Sequence, residues 1–226
     1  TRLTSCHEHN EDRRSQELLE RLSRGEDIAL ITDAGTPCIS DPGFVLVKKA
    51  AEQGIQVIPV PGCCAAAAGL SAAGLASDQF LFAGFLPRKE GKLAQRLEQL
   101  KHINACMILY ESPRRITPLL DRMIPILGDR QACLAREMTK QHEEFIRGRL
   151  SQIRDSLVSR ERVRGEMALF VSGCPDPAPV SDPELQQIVR RSLGESNLKT
   201  STLARQISDQ YNVSKKRVYD LIVQLK

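Results

Sequence analysis

Ile28-Ala29-Leu30-Ile31-Thr32-Asp33-Ala34-Gly35-Thr36-Pro37-Cys38-Ile39-Ser40-Asp41-Pro42-Gly43 is the stretch on which the fold turns. Its first five residues form a continuous apolar run, the pattern of a strand covered on both faces. A helical pattern follows over Phe44 to Gln53 and ends at Gly54. A loop so placed sits at the carboxyl end of a strand, where open α/β sheets bind ligands. Gly35 and Gly43 let backbone approach a ligand, and Pro37 and Pro42 stiffen the loop. Asp33 and Asp41 offer carboxylates to an amine or hydroxyls. The plain alternative is a connecting turn with helix-capping acids.

The same logic repeats one unit on. Ile55 to Val60 reads as a strand, and Pro61-Gly62-Cys63-Cys64-Ala65 opens a helix of very small side chains reaching Leu75. Such a helix can lie close to a sheet and to a ligand, or serve tight packing alone. Neither loop carries GxGxxG, which counts against a dinucleotide. Upstream, Asp12 to Ser23 is a helix closed by Gly25. Downstream, strand-like runs at 80–85, 105–110, 131–135 and 167–172 alternate with helical stretches near 91–102, 114–127 and 150–159. Strands separated by helices predict an α/β fold with a largely parallel sheet. The interruption between Asp78 and Arg88 divides it into two α/β domains, 1–78 and 79–173.

Residues 174–183 hold four prolines and predict a stiff linker. Beyond it, 184–226 carries three helical patterns, the last preceded by Ser214 as a candidate N-cap. A turn followed by a basic helix containing Lys215-Lys216-Arg217 resembles a helix-turn-helix appendage.

Composition narrows the function classes. The net charge is +4, which permits a nucleic-acid partner without demanding one, and Trp is absent, which disfavours an aromatic platform for single strands. Seven cysteines without any CxxC spacing fit neither a zinc site nor a disulfide framework and point to a reducing, cytoplasmic compartment. No stretch has transmembrane length and hydrophobicity. His7-Glu8-His9 offers metal-ligand types on an irregular segment, and no metal is expected.

Six motifs taken in order resemble one family. They are Asp33-Ala34-Gly35-Thr36-Pro37 with Ser40-Asp41-Pro42-Gly43, Pro61-Gly62, Gly84-Phe85-Leu86-Pro87-Arg88-Lys89, Tyr110-Glu111-Ser112-Pro113-Arg114-Arg115, Arg136-Glu137-Met138-Thr139-Lys140, and Gly165-Glu166-Met167. Together they resemble the bacterial small-subunit ribosomal RNA methyltransferase I family, within the superfamily of S-adenosylmethionine-dependent tetrapyrrole methylases. Cys63-Cys64 departs from a pair that in relatives is often Pro-Cys or contains Ser.

The resemblance implies two α/β domains with S-adenosyl-L-methionine in the cleft between them, in a homodimer. It implies methylation of a ribose 2′-hydroxyl of a cytidine in the decoding region of 16S rRNA in the small ribosomal subunit. Carried over by motif, the cofactor stretches are Asp33, Ala34, Gly35, Thr36 and Pro37 with Asp41; Pro61, Gly62, Cys63, Cys64 and Ala65; Tyr110, Glu111 and Ser112; and Glu166, Met167 and Ala168.

A 2′-hydroxyl is a poor nucleophile, so a base or acceptor helps, and Glu137 and Lys140 are the candidates. Lys140 needs a lowered pKa for that role, which burial beside Arg136 would supply. The alternative for this segment is a strand end with a surface ion pair. Arg88, Lys89, Lys92, Arg114, Arg115 and Arg136, with Lys215, Lys216 and Arg217 of the tail, are the candidate RNA contacts.

The family opens with a strand, a Pro-Ile-Gly-Asn-Leu loop and a further βα segment before the motif matched by His7 to Glu11. None of these is in the sequence, so the expectation is either a longer parent protein whose start lies upstream of Thr1 or a variant that binds S-adenosyl-L-methionine weakly. Three other readings stay open. One is a C-methyltransferase acting on a porphyrin-like substrate, another is a regulator reading nucleic acid through its tail, and the third is a noncatalytic module that binds S-adenosyl-L-methionine.

Overall fold

A computed structural model describes residues 3–7, 10–175, 181–195, 198–211 and 213–225. The chain divides into two compact units, 1–174 and 175–226.

In the first unit, helix α1 (Glu11–Ser23) and helix α2 (Phe44–Glu52) bury Leu18, Leu19, Leu46 and Ala50 against one another. Gly25 and Gly54, just past the two helices, take φ of 84° and 71°, conformations that spare glycine the Cβ clash. Helix α3 (Ala65–Ala73) ends at a left-handed Gly74. Then come β1 (Phe80–Phe85), α4 (Glu90–Leu100), β2 (Cys106–Glu111), α5 (Ile116–Leu127), β3 (Gln131–Arg136), β4 (Glu144–Arg149), α6 (Leu150–Val158) and β5 (Met167–Val171).

The five strands form one sheet in the order β1-β2-β5-β3-β4. Side chains alternate across it with period two. Met107, Leu109, Leu134 and Leu169 face a core shared with Leu97, Leu120, Met123 and Ile153 of the helices on that side. Ile108, Cys133, Ala135, Ala168 and Phe170 face α3 on the other. Helix α3 comes so near that a Cβ at Gly69 would overlap the Phe170 ring. Small side chains there serve close helix–sheet contact.

Three expectations are corrected. The apolar runs 28–32 and 55–60 join no β-ladder among the described residues, and Ile31 and Val60 are 75% and 84% exposed. Apolar content alone does not make a strand; paired backbone on either side does.

Secondly, the sheet is not largely parallel. Only β1 and β2 pair in parallel, while β2–β5, β3–β5 and β3–β4 are antiparallel. Helical crossovers do keep β1, β2 and β3 in one direction, but β5 inserts between β2 and β3 running the other way. Thirdly, β4 adds a strand that the apolar pattern does not predict: Glu144-Phe145-Ile146-Arg147-Gly148-Arg149 is charged and contains Gly, as suits an edge strand.

The second unit is a helical bundle. Helices α7 (Asp182–Glu195), α8 (Thr200–Tyr211) and α9 (Lys215–Leu225) bury Leu185, Val189, Leu203, Ile207, Val218 and Ile222 together. Ser214 directly precedes α9, and its carbonyl accepts from the Val218 N–H at 3.1 Å. Of the proline-rich linker, 176–180 lies outside the described residues, as do Glu8 and His9. Among the described residues no helix is long and apolar enough to cross a membrane.

Candidate functional site

The two glycine-bearing loops meet. The Thr36 hydroxyl donates to the Cys63 carbonyl at 2.8 Å, and the Cys63 thiol lies 3.7 Å from the Gly35 carbonyl. Gly35 has φ of 84°, and a Cβ there would come no nearer than 4.0 Å to its neighbour, the Cys63 oxygen. Asp33, Ala34, Gly35, Pro61, Gly62, Cys63 and Ala65 are all exposed, so backbone and carboxylate groups are presented together on an open rim.

The base of the first loop is fixed by a residue outside it. The Glu11 carboxylate accepts the N–H groups of Gly43 and Val45 at 2.8 and 2.9 Å, capping α2 from α1. Glu11 belongs to a family motif, yet the sequence assigns it no task; a carboxylate 32 residues from the helix it caps leaves no local signal.

Beyond the loops, Ser40 touches the end of β1. Its backbone is left-handed, with φ of 61°, and a Cβ at Gly84 would sit 3.2 Å from its hydroxyl. The β1–β2 register shifts between Phe82 and Gly84, a bulge that opens room for this approach. Next to it, Tyr110 stacks edge-on against Phe82 and Phe85, with ring centroids 5.0 and 5.8 Å apart. Burial pushes the Tyr110 phenol up, as do nearby Cys64 and Asp41, while hydrogen bonding with the Ala66 backbone opposes them. Tyr110 therefore lies where both loops and the start of α3 converge.

Glu111 is buried. Its Oε1 accepts the Ser112 N–H at 2.7 Å, and its Oε2 lies 3.2 Å from Arg115 Nη2 without hydrogen-bond alignment. Arg115 also donates to the Leu86 and Pro87 carbonyls at 3.2 and 3.5 Å. Its guanidinium thus ties the turn after β1 to the end of β2, which departs from the expected role as an RNA contact.

The candidate chemical groups gather at the same sheet end. Tyr110 of β2 and Ala135 of β3 both stand opposite Ala168 of β5, and Glu111 and Arg136 both stand opposite Met167. Glu166 precedes this row. The Glu137 Oε1 accepts the Glu166 N–H at 2.8 Å and the Lys140 ammonium at 3.0 Å, and Lys140 also donates to Glu166 Oε2 at 3.0 Å.

Glu137 has φ of 50° and lies directly over Gly165, where any Cβ would overlap it. The Glu166 N–H, and then Lys140, hold the Glu137 carboxyl below the usual carboxylate range. Lys140 moves opposite to expectation: Glu166 and then Glu137 push its pKa up. It is half-exposed between two carboxylates, not buried beside a cation, an environment that favours the ammonium over the free amine.

Of the expected RNA contacts, Arg88, Lys89, Lys92 and Arg114 are exposed around the β1–α4 turn and the start of α5. Arg136 is held by Glu144 at 3.0 Å and by the Arg164 carbonyl at 3.2 Å. Lys215, Lys216 and Arg217 are exposed at the start of α9, with Arg217 paired to Asp182. Sequence reasoning misses Arg160, which grips Glu144 through both terminal nitrogens at 2.7 and 2.6 Å, and its neighbours Arg162 and Arg164. The alternating arginines of Arg160-Glu161-Arg162-Val163-Arg164 are the signal that could have found them.

Two laced loops over one end of a mixed sheet, with a small-residue helix close against it, define a methylase of the tetrapyrrole type: the family described as "Tetrapyrrole (Corrin/Porphyrin) Methylases" matches residues 1–154. The fold is similar to the methyltransferase CobJ, with a TM-score of 0.53, 18% identity, and 71% of this chain and 70% of that one covered. It is similar also to diphthine synthase, with a TM-score of 0.54, 14% identity, and coverage of 76% and 70%.

The chain belongs to the ribosomal RNA small subunit methyltransferase I family and is a methyltransferase. It is 40% identical to the protein of that name from Mesorhizobium japonicum, over 100% of this chain and 76% of that one. With the Micromonospora olivasterospora protein the identity is 37%, over 98% and 71%. With that of Halalkalibacterium halodurans it is 45%, over 76% and 60%.

Proposed function

We propose that this chain transfers the methyl group of S-adenosyl-L-methionine to the ribose 2′-hydroxyl of a cytidine in the decoding region of 16S rRNA, acting on the small ribosomal subunit. Dependence on S-adenosyl-L-methionine goes with the family. The name borne by these relatives supports the RNA acceptor. The observation that carries the reading is the meeting of the Gly35 and Gly62 loops beside Tyr110, at the sheet end that also holds Glu137, Lys140 and Glu166.

The residues fit the cofactor. Bare backbone at Gly35 and Gly62 leaves space that side chains would fill, and the exposed Asp33 carboxylate suits hydroxyls or an amine. When bound, the cofactor supplies an activated methyl on a sulfonium, with a neutral thioether as leaving group.

The chain's own task is alignment. Lys140 and the Glu166 N–H both engage Oε1 of Glu137, so Oε2 is the atom offered to the acceptor hydroxyl. An ionised carboxylate there orients the hydroxyl and takes its proton as the O–C bond forms. Lys140 serves as a positioning residue for that carboxylate. Arg88, Lys89, Lys92 and Arg114 neutralise RNA phosphates around this end. We place the enzyme in the cytoplasm as a homodimer, in keeping with its free cysteines and the family resemblance.

The test is to incubate the protein with small subunits and S-adenosyl-L-methionine, digest the RNA to nucleosides, and map methyl groups by mass. One additional 2′-O-methylcytidine supports the reading. Methylation on a base, or transfer only to a porphyrin-like acceptor, overturns it.

A further inference from the structure

Beside the site, on the face carrying the β3–β4 turn and the segment after α6, lies a cluster that the methyl transfer above does not use. Arg136, His142, Glu144, Arg160, Arg162 and Arg164 line an open cavity of about 600 Å³. Its organiser is Glu144. That carboxylate binds both terminal nitrogens of Arg160, at 2.6 and 2.7 Å, and the Nε of Arg136 at 3.0 Å. One negative charge thus fixes two guanidinium planes and leaves the trio with a positive surplus.

Arg162 and Arg164 add two more cations, exposed and in no ion pair among the described residues. Two other carboxylates complete the lining. Glu143 is occupied by the Thr139 N–H at 2.7 Å, and Glu161 stands exposed.

We propose that this arginine cluster is a subsite for the sugar–phosphate backbone of RNA beside the nucleotide that is methylated. Planar guanidinium forks match phosphate oxygens in pairs, and forks already held by Glu144 lose less freedom on binding. The polar, open shape suits a strand passing through and does not suit an apolar ligand. Position identifies the source of the phosphate: Arg136 adjoins Glu137 in sequence, and Arg164 is two residues from Glu166, so the cavity borders the acceptor site. This identity of the ligand rests on the function proposed above.

The experiment measures anisotropy of a fluorescein-labelled 16S rRNA hairpin with the full chain across a salt series. Arg162→Ala with Arg164→Ala is expected to weaken binding about tenfold. The same pair should reduce the log–log salt slope by about 1.5, at roughly 0.7–0.9 for each phosphate no longer neutralised. Affinity for S-adenosyl-L-methionine, by calorimetry, stays unchanged. Arg162→Lys with Arg164→Lys keeps the slope. Glu161→Gln, which removes a rim carboxylate from an exposed position, tightens binding about threefold.

Unchanged slope and affinity in the alanine pair, or no tightening in Glu161→Gln, overturns the subsite. Unaltered methylation by the alanine pair, with the same KM for RNA, overturns it while leaving the function standing. RNA binding through the cluster without any 2′-O-methyl product overturns the function and leaves the subsite.

Discussion

The Thr36 hydroxyl and the Cys63 carbonyl oxygen are 2.8 Å apart, and this bond fastens together two loops separated by 27 residues. Neither residue is deeply buried, so the bond is worth a modest amount in the folded chain. Its larger effect is on shape, because it fixes Gly35 against the Pro61–Ala65 turn.

Thr36→Val keeps the branched side chain and removes the donor. Affinity for S-adenosyl-L-methionine is expected to fall about three- to tenfold, corresponding to ~1 kcal/mol, with circular dichroism unchanged. Calorimetry decides it, and unaltered affinity would detach these loops from cofactor binding.

Lys140 offers a sharper contrast. A cation that positions Glu137 can be replaced by another cation, whereas a base cannot. Lys140→Arg should keep most of kcat, and Lys140→Met should lose about tenfold or more, each with little change in cofactor affinity. Equal losses in both would restore a proton-accepting role to the lysine.

Glu144 predicts a pH dependence. The guanidinium of Arg160, with help from Arg136, holds its carboxyl down from 4.5 to about 2. A carboxyl depressed on folding adds stability that is fully present above about 4.5 and is lost as pH falls toward 2. Because the group is partly exposed, that contribution is on the order of 1–2 kcal/mol. Urea unfolding of Glu144→Gln should show this loss at pH 7, and the difference from the unaltered chain should shrink at pH 3. A constant difference would mean that the carboxylate's charge is not what stabilises.

The helical unit makes a separate prediction. Deleting 181–226 should raise the KM for the small subunit about tenfold, through loss of a second point of attachment, and leave affinity for S-adenosyl-L-methionine as it was. A fall in cofactor affinity would assign the helices to the site itself.

The sequence is most legible where one local feature suffices. Gly25 and Gly54 end helices as their positions suggest, and the buried runs of β2 and β5 read as strands because both faces are covered. It is least legible where partners are distant. The apolarity of 28–32 and 55–60 resembles that of β2, yet a ladder depends on neighbours that no window of sequence reveals.

Edge strand β4 hides for the opposite reason: its polar residues are tolerated because one side meets solvent. Within the site, the loops and the Glu137–Lys140 segment are found by motif. The protonation of Lys140 is not, since Glu166, 26 residues away, decides it.

Strand β5 has a wider consequence. Because Met167 and Ala168 pair with β2 on one side and β3 on the other, the spacing between the Tyr110–Glu111 end and the Ala135–Arg136 end is set by main-chain ladders. A one-residue slip would turn every side chain to the opposite face, so the ladder behaves as a fixed gauge. Side chains at its rim can then be exchanged without disturbing the gauge. On such a scaffold the spacing of the rim groups is inherited with the backbone, while their chemistry is open to retailoring residue by residue.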